Sequence, residues 1–246
     1  MGYTAPMEKL VYDGLQGCPY LPGQVARMPL YRQLRRLGLD ETDARFAAAE
    51  RRVGTCLYRT QCPTCSACQG LRIPVDEFRP SRSQRRVLGR WQDRGRIAFG
   101  APSLDDEKLD LFNRHKQERD LASEEDGPMT GLGYASWLVQ SCVLTMEMRY
   151  YFDDRLVGVG ILDLGRTAAS SVYFYFDPVA EISRLSPGVF SVLQEVDFCR
   201  QTGREFLYLG LYVEDCRHLS YKADYWPHER QVDGVWQRFE RTASGG

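Results

Sequence analysis

Three cysteines and a run of arginines share one segment of the 246-residue chain. The cysteines are separated by two residues each in residues 62–68 (CPTCSAC), and residues 79–86 (RPSRSQRR) follow a short distance downstream. Thiols at this spacing can ligate zinc or an iron-sulfur cluster, and clustered guanidinium groups bind the phosphates of a polyanion. The segment therefore predicts both a structural clamp and an RNA-binding arm.

Arginine is concentrated in this part of the chain. The formal net charge is only -1, but between Arg27 and Arg96 sixteen basic residues, all of them arginine, stand against seven acidic ones. A guanidinium binds phosphate in a bidentate manner and stacks on bases, which lysine cannot do. A solvated arginine-rich surface is the alternative. The predicted RNA-binding residues, most of them on one helical face, are Arg79, Arg82, Arg85, Arg86 and Arg90.

The eight cysteines bear on both metal binding and location. The chain shows no signal-sequence pattern and no apolar run near about 18 residues, so we expect a cytoplasmic protein. Disulfides are disfavoured in that compartment, which favours metal ligation by clustered thiols. The predicted ligands of zinc or an iron-sulfur cluster are Cys18, Cys62, Cys65 and Cys68, with Cys56 as a second candidate, after Cys18, for the fourth position. The alternative is that these cysteines are small core residues that bind no metal.

The pattern of elements changes near residue 100. Residues 1–100 form a Cys-rich and Arg-rich region that is irregular and proline-containing, with short helices predicted over 28–37 and 42–51. Residues 101–246 alternate strands and helices. The elements predicted there are a helix from an N-cap at Ser103 to about Leu121, a loop at 122–128, a hairpin of 145–152 and 155–162, strands at 170–176 and 205–212, helices at 189–201 and 215–221, and a hairpin within 229–239.

This order of elements is typical of the N-acetyltransferase fold. We therefore predict an α+β or α/β protein, with an irregular Cys-containing N-terminal region and an N-acetyltransferase-like (GNAT-like) mixed sheet with helices. The loop before the helix at 189–201 is Ser186-Pro-Gly188, which lacks the glycine-rich pattern that binds the pyrophosphate of coenzyme A in that fold. A coenzyme-A-dependent acetyltransferase is thus disfavoured.

Several motifs, in order along most of the chain, carry a family resemblance. They are residues 18–23 (CPYLPG), 57–68 (LYRTQCPTCSAC), 71–75 (LRIPV), 78–86 (FRPSRSQRR), 173–178 (YFYFDP) and 208–222 (YLGLYVEDCRHLSYK). Together they resemble the arginyl-tRNA-protein transferases, most closely the bacterial branch, the aspartate/glutamate leucyltransferases. The chain departs from the family pattern at residues 50–54 (ERRVG) and 225–227 (YWP).

The resemblance implies a reaction and its partners. It implies a cytoplasmic enzyme that transfers an amino acid, leucine in the bacterial branch, from aminoacyl-tRNA to the N-terminal Asp or Glu of a protein. The product would be marked for degradation by the N-end rule pathway. The implied partners are Leu-tRNA and such acceptor proteins, with no DNA, no membrane and no cofactor required for transfer. Arginine as the donated residue, or a metal-stabilised RNA-binding protein without catalysis, are the alternatives.

Aminolysis of an activated ester depends on positioning and on modest proton transfer. Asp163 and Glu214 follow apolar strands, where carboxylates face the ligand crevice of an α/β sheet, and are the predicted catalytic residues; a turn or helix cap is the alternative. An acidic acceptor needs a cation, for which Arg82 and Lys222 lead. The residues predicted to bind the acceptor or the aminoacyl group are Arg82, Tyr173, Tyr175, Tyr221 and Lys222. The alternative for Tyr173 and Tyr175 is that they belong to an aromatic core strand.

Overall fold

The computed structural model describes residues 8–119 and 127–241. Its strands are β1 (Glu8–Tyr12), β2 (Leu15–Gly17), β3 (Val25–Arg27), β4 (Leu30–Gln33), β5 (Arg51–Val53), β6 (Cys56–Tyr58), β7 (Gln69–Pro74), β8 (Gly95–Gly100), β9 (Leu144–Phe152), β10 (Arg155–Leu164), β11 (Ala168–Phe176), β12 (Phe206–Tyr212), β13 (His228–Val232) and β14 (Val235–Phe239). Its helices are α1 (Leu39–Ala47), α2 (Arg82–Trp91), α3 (Asp106–Glu118), α4 (Gly131–Tyr134), α5 (Ala180–Ser183), α6 (Pro187–Gln201) and α7 (Arg217–Ser220). A π-helical turn (Ala135–Val139) follows α4, and a 3-10 turn (Tyr221–Asp224) follows α7.

An eight-stranded mixed sheet is the centre of the fold. Its strand order is β14-β13-β7-β12-β11-β10-β9-β8. Only β11 and β12 are parallel neighbours in it, and their ladder covers just Ala168–Ser170 against Phe206–Tyr208, although both strands continue further. β11 and β12 therefore separate in the middle of the sheet. The predicted fold class, a GNAT-like mixed sheet with helices, is confirmed.

Tight turns fix the hairpins of this sheet. Asp153 and Asp154 join β9 to β10 with positive φ angles of 48° and 58°. Both signs match the type I′ turn, whose twist suits the right-handed twist of paired strands. The second hairpin turns at Asp233-Gly234, where both residues also have positive φ. Both hairpins are confirmed where the sequence predicts them.

Apolar layers cover both faces of the sheet. Phe174 and Phe176 of β11 pack with the α6 side chains in one core cluster, whereas Tyr173 and Tyr175 pack with Phe112 of α3 in another. Alternate residues of a strand point to opposite faces, so α6 and α3 lie on opposite sides of β11. The helix predicted at 189–201 is confirmed as α6, and Gly203 follows its end with φ 69°.

The N-terminal region differs from the prediction in two places. The helix predicted over residues 28–37 is wrong, because this segment contains the strand β4. β4 pairs with β1 on one side and with β6 on the other, and these ladders supply the hydrogen bonds of its backbone. The helix predicted over 42–51 is displaced towards the N-terminus, since α1 ends at Ala47 and Ala49 adopts φ 57° before β5 begins. This left-handed residue lets the chain leave the helix and enter a strand within a few residues.

The start of α3 also differs from the prediction. Asp105 caps the helix by accepting a hydrogen bond from the Lys108 backbone N–H at 2.9 Å, whereas the Ser103 hydroxyl contacts the Lys108 ammonium group. Ser103 is thus wrong as the N-cap, because Asp105 stands at the position from which a side chain reaches the third helical amide. The predicted helix end at Leu121 and most of the loop at 122–128 lie outside the described residues.

The strands on either side of α2 join the two predicted regions. β7 lies between β13 and β12, and β8 forms one edge of the large sheet. A boundary at residue 100 would therefore cut through this sheet, whereas the small N-terminal sheets end at Tyr58. Within residues 8–119 and 127–241, no helix is long and apolar enough to cross a membrane.

Candidate active site

Each strand is irregular at the point where β11 leaves β12. Ser171 and Tyr173 oppose adjacent residues of β10, so Val172 has no partner in that ladder. On β12, Leu209 has no partner on β7, and Gly210 after it has φ 84°. Bulges of this kind bend strands and re-aim side chains, and they are common beside active sites. The gap between these two strands is the first candidate site.

Arg51 of β5 lies in this gap. Its Nη1 donates to the Ser170 hydroxyl and its Nη2 to the Ser171 carbonyl, both at 2.8 Å. A Cβ atom at Gly210 would lie 2.7 Å from the Arg51 Cζ and would displace the guanidinium, while the positive φ of this position favours glycine. The Arg51 guanidinium therefore contacts both strands where they separate.

Lys222 approaches the same gap from the 3-10 turn. Its side chain is buried, and its Nζ donates to the carbonyl of Leu211, the neighbour of Gly210, at 2.6 Å. Burial, and then the charge of Arg51, lower the pKa of Lys222 to about 7. Among the described residues, neither Arg51 nor Lys222 has a carboxylate within 4.0 Å. The two cations make this gap a candidate site for an anion.

Glu195 of α6 is completely buried beside the gap. Its Oε1 accepts hydrogen bonds from the hydroxyls of Ser171 at 3.2 Å and Ser191 at 3.4 Å, and its Oε2 has no partner in the described part of the chain. Burial raises the pKa of Glu195 to about 8, against the opposing effects of the two hydroxyls and of Arg51. Perturbed pKa values at a strand gap are typical of functional sites.

Asp163 of β10 lies opposite Ser170 of β11, and its side chain is held in a buried ion pair. Its carboxylate accepts bonds from the Arg52 Nε at 2.7 and 2.9 Å and from the Thr145 hydroxyl at 2.7 Å. The side chains of Asp163 and Arg52 are 2% and 1% exposed. This geometry suits a clamp that holds β5 against β10 and so positions Arg51, the neighbour of Arg52. Glu214, the other predicted catalytic residue, is exposed just after β12.

The two predicted strand tyrosines lie on the face of β11 opposite α6. Tyr175 is completely buried, and its hydroxyl lies 2.6 Å from that of Tyr134. The Tyr173 ring packs against Trp137, with 4.9 Å between ring centroids. Alternation along β11 directs both rings to the α3 side. Tyr175 belongs to the aromatic core rather than to a pocket, whereas Tyr173 is partly exposed and its binding role stays a prediction.

The cysteines of the N-terminal motifs lie close together. Burial, and then the nearby thiols, raise the pKa of Cys68 to about 12. Those thiols belong to Cys62, Cys18, Cys65 and Cys216. Across residues 8–119 and 127–241, however, no group of three or more His, Cys, Asp or Glu side chains is arranged to hold a metal ion. The zinc or iron-sulfur site on Cys18, Cys62, Cys65 and Cys68 therefore stays a prediction.

A cleft of about 560 Å³ lies between α2, the start of α6 and the 3-10 turn. Arg86 and Arg90 of α2 line it, together with Tyr221 and Trp226. The Arg90 Nη1 also donates to the Arg184 carbonyl at 2.8 Å, which fixes that side chain near the start of α6. Tyr221 is 47% exposed. Cations beside accessible aromatic rings can bind the phosphates and bases of a single-stranded nucleic acid.

The other predicted arginines do not line this cleft. Arg79 donates to the Asp76 carbonyl and Arg85 to the Pro80 carbonyl, both at 2.6 Å. Arg82 is exposed at the first position of α2. α2 buries its Gln84, Val87 and Trp91 side and leaves its arginines towards solvent.

Comparison with known proteins adds the family. The N-terminal model of the arginine-tRNA-protein transferases matches residues 16–86, and the C-terminal model of the same family matches residues 107–232. The chain belongs to the arginine-tRNA-protein transferase family. The resemblance carried by the motifs is thereby confirmed.

Individual relatives of the transferase cover most of its length. The aspartate/glutamate leucyltransferase of Aeromonas salmonicida is 36% identical over 233 residues, which span 91% of this chain and 92% of that protein. The aspartate/glutamate leucyltransferase of Acinetobacter baumannii is 30% identical over 227 residues, 92% of this chain and 83% of that protein. Among solved structures, L-PGS from Bacillus licheniformis matches with a TM-score of 0.41 and 11% identity, over 59% of this chain and 46% of that one.

Two residues of the candidate site, Arg51 and Glu195, are not among those predicted from the sequence. Arg51 lies in the ERRVG segment, one of the two places where the chain departs from the family pattern. Glu195 stands four residues after Ser191 on a helix whose surrounding positions are buried. A carboxylate within an apolar helical face is a signal that the sequence contains, since such a group is seldom fully buried without a partner.

Proposed function

We propose that this protein is a cytoplasmic leucyltransferase that moves leucine from Leu-tRNA to the N-terminal Asp or Glu of acceptor proteins, creating a destabilising N-terminus for the N-end rule pathway. The observation that carries the proposal is the pair of cations, Arg51 and Lys222, without a carboxylate partner at the strand gap. The names of the relatives support leucine as the donated residue. Family membership supports the class of reaction.

The acceptor's side-chain carboxylate is the anion that this gap would take. It supplies the counter-charge that Arg51 and Lys222 lack among the described residues. An N-terminal Asn or Gln has the same shape but no charge. Because leaving a buried charge unpaired costs about 3–5 kcal/mol, the preference for an acidic N-terminus should exceed about 100-fold. Arg82, also predicted for this role, lies elsewhere, on the first turn of α2.

The cleft beside α2 is suited to the 3′ end of the donor tRNA. Arg86 and Arg90 can contact its phosphates, while Tyr221 and Trp226 offer surfaces on which bases stack. Tyr221 directly precedes Lys222, so the cleft and the gap meet at the 3-10 turn. The remaining predicted arginines, Arg79, Arg82 and Arg85, would then contact the acceptor stem further from its end.

Transfer needs the amine and the ester carbonyl to meet in the gap. The ester is already activated on the ribose, so positioning supplies much of the rate enhancement. The α-amine has an ordinary pKa near about 7.7–8.0, and a modest base can take its proton at neutral pH. Glu214 remains a predicted base at the end of β12, whereas the ion pair of Asp163 with Arg52 favours a positioning role for that carboxylate.

A transfer assay tests the proposed function. The protein is incubated with tRNA charged with labelled leucine, or in parallel with labelled arginine, and with peptides that begin with Asp, Glu, Asn or Ala. We expect leucine to be transferred to the Asp and Glu peptides only. Label on none of the peptides, or equal label on the Asp and Asn peptides, would refute the proposal. Label from arginine alone would overturn the choice of donor.

The donor cleft is tested separately with two neighbouring arginines. Arg86→Ala removes a cation that lines the cleft, while Arg85→Ala, the matched control, removes one that binds the Pro80 carbonyl outside it. We expect the KM for Leu-tRNA to rise about tenfold in Arg86→Ala and about twofold in Arg85→Ala, and the Arg86→Ala variant to lose part of the salt dependence. Equal effects of the two substitutions would place the tRNA end outside the cleft.

A further inference from the structure

Glu195 has surroundings that packing alone does not explain. It lies in the middle of α6 and is completely buried, yet no cation lies within 4.0 Å of its carboxyl group among the described residues. Two hydroxyls share its Oε1, and Oε2 has no partner in that part of the chain. A buried, incompletely bonded carboxyl group is costly.

Ser171 connects Glu195 to the strand gap. Its hydroxyl donates to Glu195 at 3.2 Å, and its carbonyl accepts a hydrogen bond from Arg51 at 2.8 Å. Ser171 is also partly exposed and adjoins the bulge at Val172. The α-amine of an N-terminal aspartate is only a few bonds from its side-chain carboxylate. Because the Arg51 guanidinium contacts the Ser171 carbonyl, an acceptor whose carboxylate bound Arg51 would have its amine within a few bonds of that contact.

We propose that Ser171 and Glu195 form a relay that removes the proton from the acceptor's α-ammonium group, an inference that rests on the proposed leucyl transfer. The ammonium gives a proton to the Ser171 hydroxyl, and Ser171 passes its own proton to Glu195. The amine nitrogen then bonds to the ester carbonyl carbon, and the bond from that carbon to the ribose oxygen breaks. The ribose oxygen takes the second amine proton, and Glu195 later releases the first one to water.

The surroundings of Glu195 bring its pKa close to that of the acceptor's α-amine. Burial raises the pKa of Glu195 to about 8, close to that of the amine it serves, so proton transfer is nearly balanced. The titratable or charged groups that interact with it from β5, β9, α6 and the segment after α7 are Arg51, Tyr150, Cys199, Tyr221 and Tyr225. Gly160 of β10 also faces Glu195, since a Cβ there would lie at ordinary contact distance, 3.8 Å, from its Oε1.

The relay is tested with Glu195→Gln, which keeps the shape and the acceptor oxygen but cannot take a proton. We expect kcat for leucine transfer to an Asp peptide to fall at least about 100-fold, with KM and thermal stability maintained. Ser171→Ala should lose a similar factor. Because the two residues act in series, the double variant should be no slower than the slower single one. Wild-type transfer to the same peptide is the positive control that tests the proposed function itself.

A less basic acceptor distinguishes proton transfer from a structural role. A peptide that begins with 3-fluoroaspartate has an amine that is largely unprotonated at neutral pH and needs no relay. For this peptide we expect the loss in Glu195→Gln to shrink to less than about tenfold. The same loss on both peptides, a Glu195→Gln variant as active as wild type, or multiplicative losses in the double variant would each overturn the relay while leaving leucyl transfer standing.

Discussion

Lys222→Met should make the protein more stable, by an amount that depends on pH. Burial and Arg51 lower the pKa of Lys222 from 10.5 to about 7. At 1.36 kcal/mol per pH unit, this difference corresponds to about 5 kcal/mol of destabilisation when the lysine is charged in the folded state. Without a bound acceptor, the buried charge of Lys222 thus opposes folding. This destabilisation is the expected cost of a buried cation whose counter-charge comes from the acceptor.

The sign follows from proton binding. A lysine whose pKa is lower in the folded chain binds fewer protons there between pH 7 and 10.5, so wild-type stability increases as the pH rises through that range. At pH 6 the full penalty of about 5 kcal/mol acts, and at pH 10 only about 1 kcal/mol remains. Methionine fills similar space without charge, although it leaves the Leu211 carbonyl without its donor, which costs about 1–3 kcal/mol.

Urea unfolding from pH 6 to pH 10 measures this difference. We expect the advantage of Lys222→Met in free energy of unfolding to be about 2–4 kcal/mol at pH 6 and to disappear or reverse by pH 10. Lys9→Met, at an exposed position of β1, is the matched control and should leave the curve parallel to wild type. If the free energy of unfolding of Lys222→Met also runs parallel to that of the wild type across this pH range, the lowered pKa of Lys222 is refuted.

Three further outcomes follow from the same region. Asp163→Asn should lower the free energy of unfolding by about 3–5 kcal/mol in urea, because Arg52 stays buried without its counter-charge; a loss below about 1 kcal/mol would contradict this. Gly210→Ala should cost about 1–3 kcal/mol and raise KM for an Asp peptide by displacing Arg51, while the control Gly17→Ala, in open space, should do neither. In the wild type, the preference for Asp over Ala peptides should fall as the pH rises above about 7, where Lys222 loses its charge; a flat preference would exclude Lys222 as the acceptor's cation.

Local patterns predicted the main strands and α6 of the C-terminal half, but not α4, the π-helical turn or α5. The hairpin at Asp153-Asp154 depends on turn chemistry, and α6 on an apolar face that ends before Gly203, so both could be predicted from nearby residues. β4 could not, because its few residues become a strand only when β1 and β6 supply the hydrogen bonds. The same reason explains why β7 and β8, read as part of an irregular region, complete the large sheet.

The sequence by itself determined the family, the class of reaction and four members of the proposed sites, because these depend on motifs and helical faces that are contiguous along the chain. The four residues are Arg86, Arg90, Tyr221 and Lys222. The tertiary structure alone decided which groups meet. It brought Arg51 to Lys222 across more than half of the chain, put Glu195 against Ser171, and directed Tyr175 into the core. Burial then set the pKa values of Lys222 and Glu195 near neutrality, and burial depends on long-range packing that no local pattern encodes.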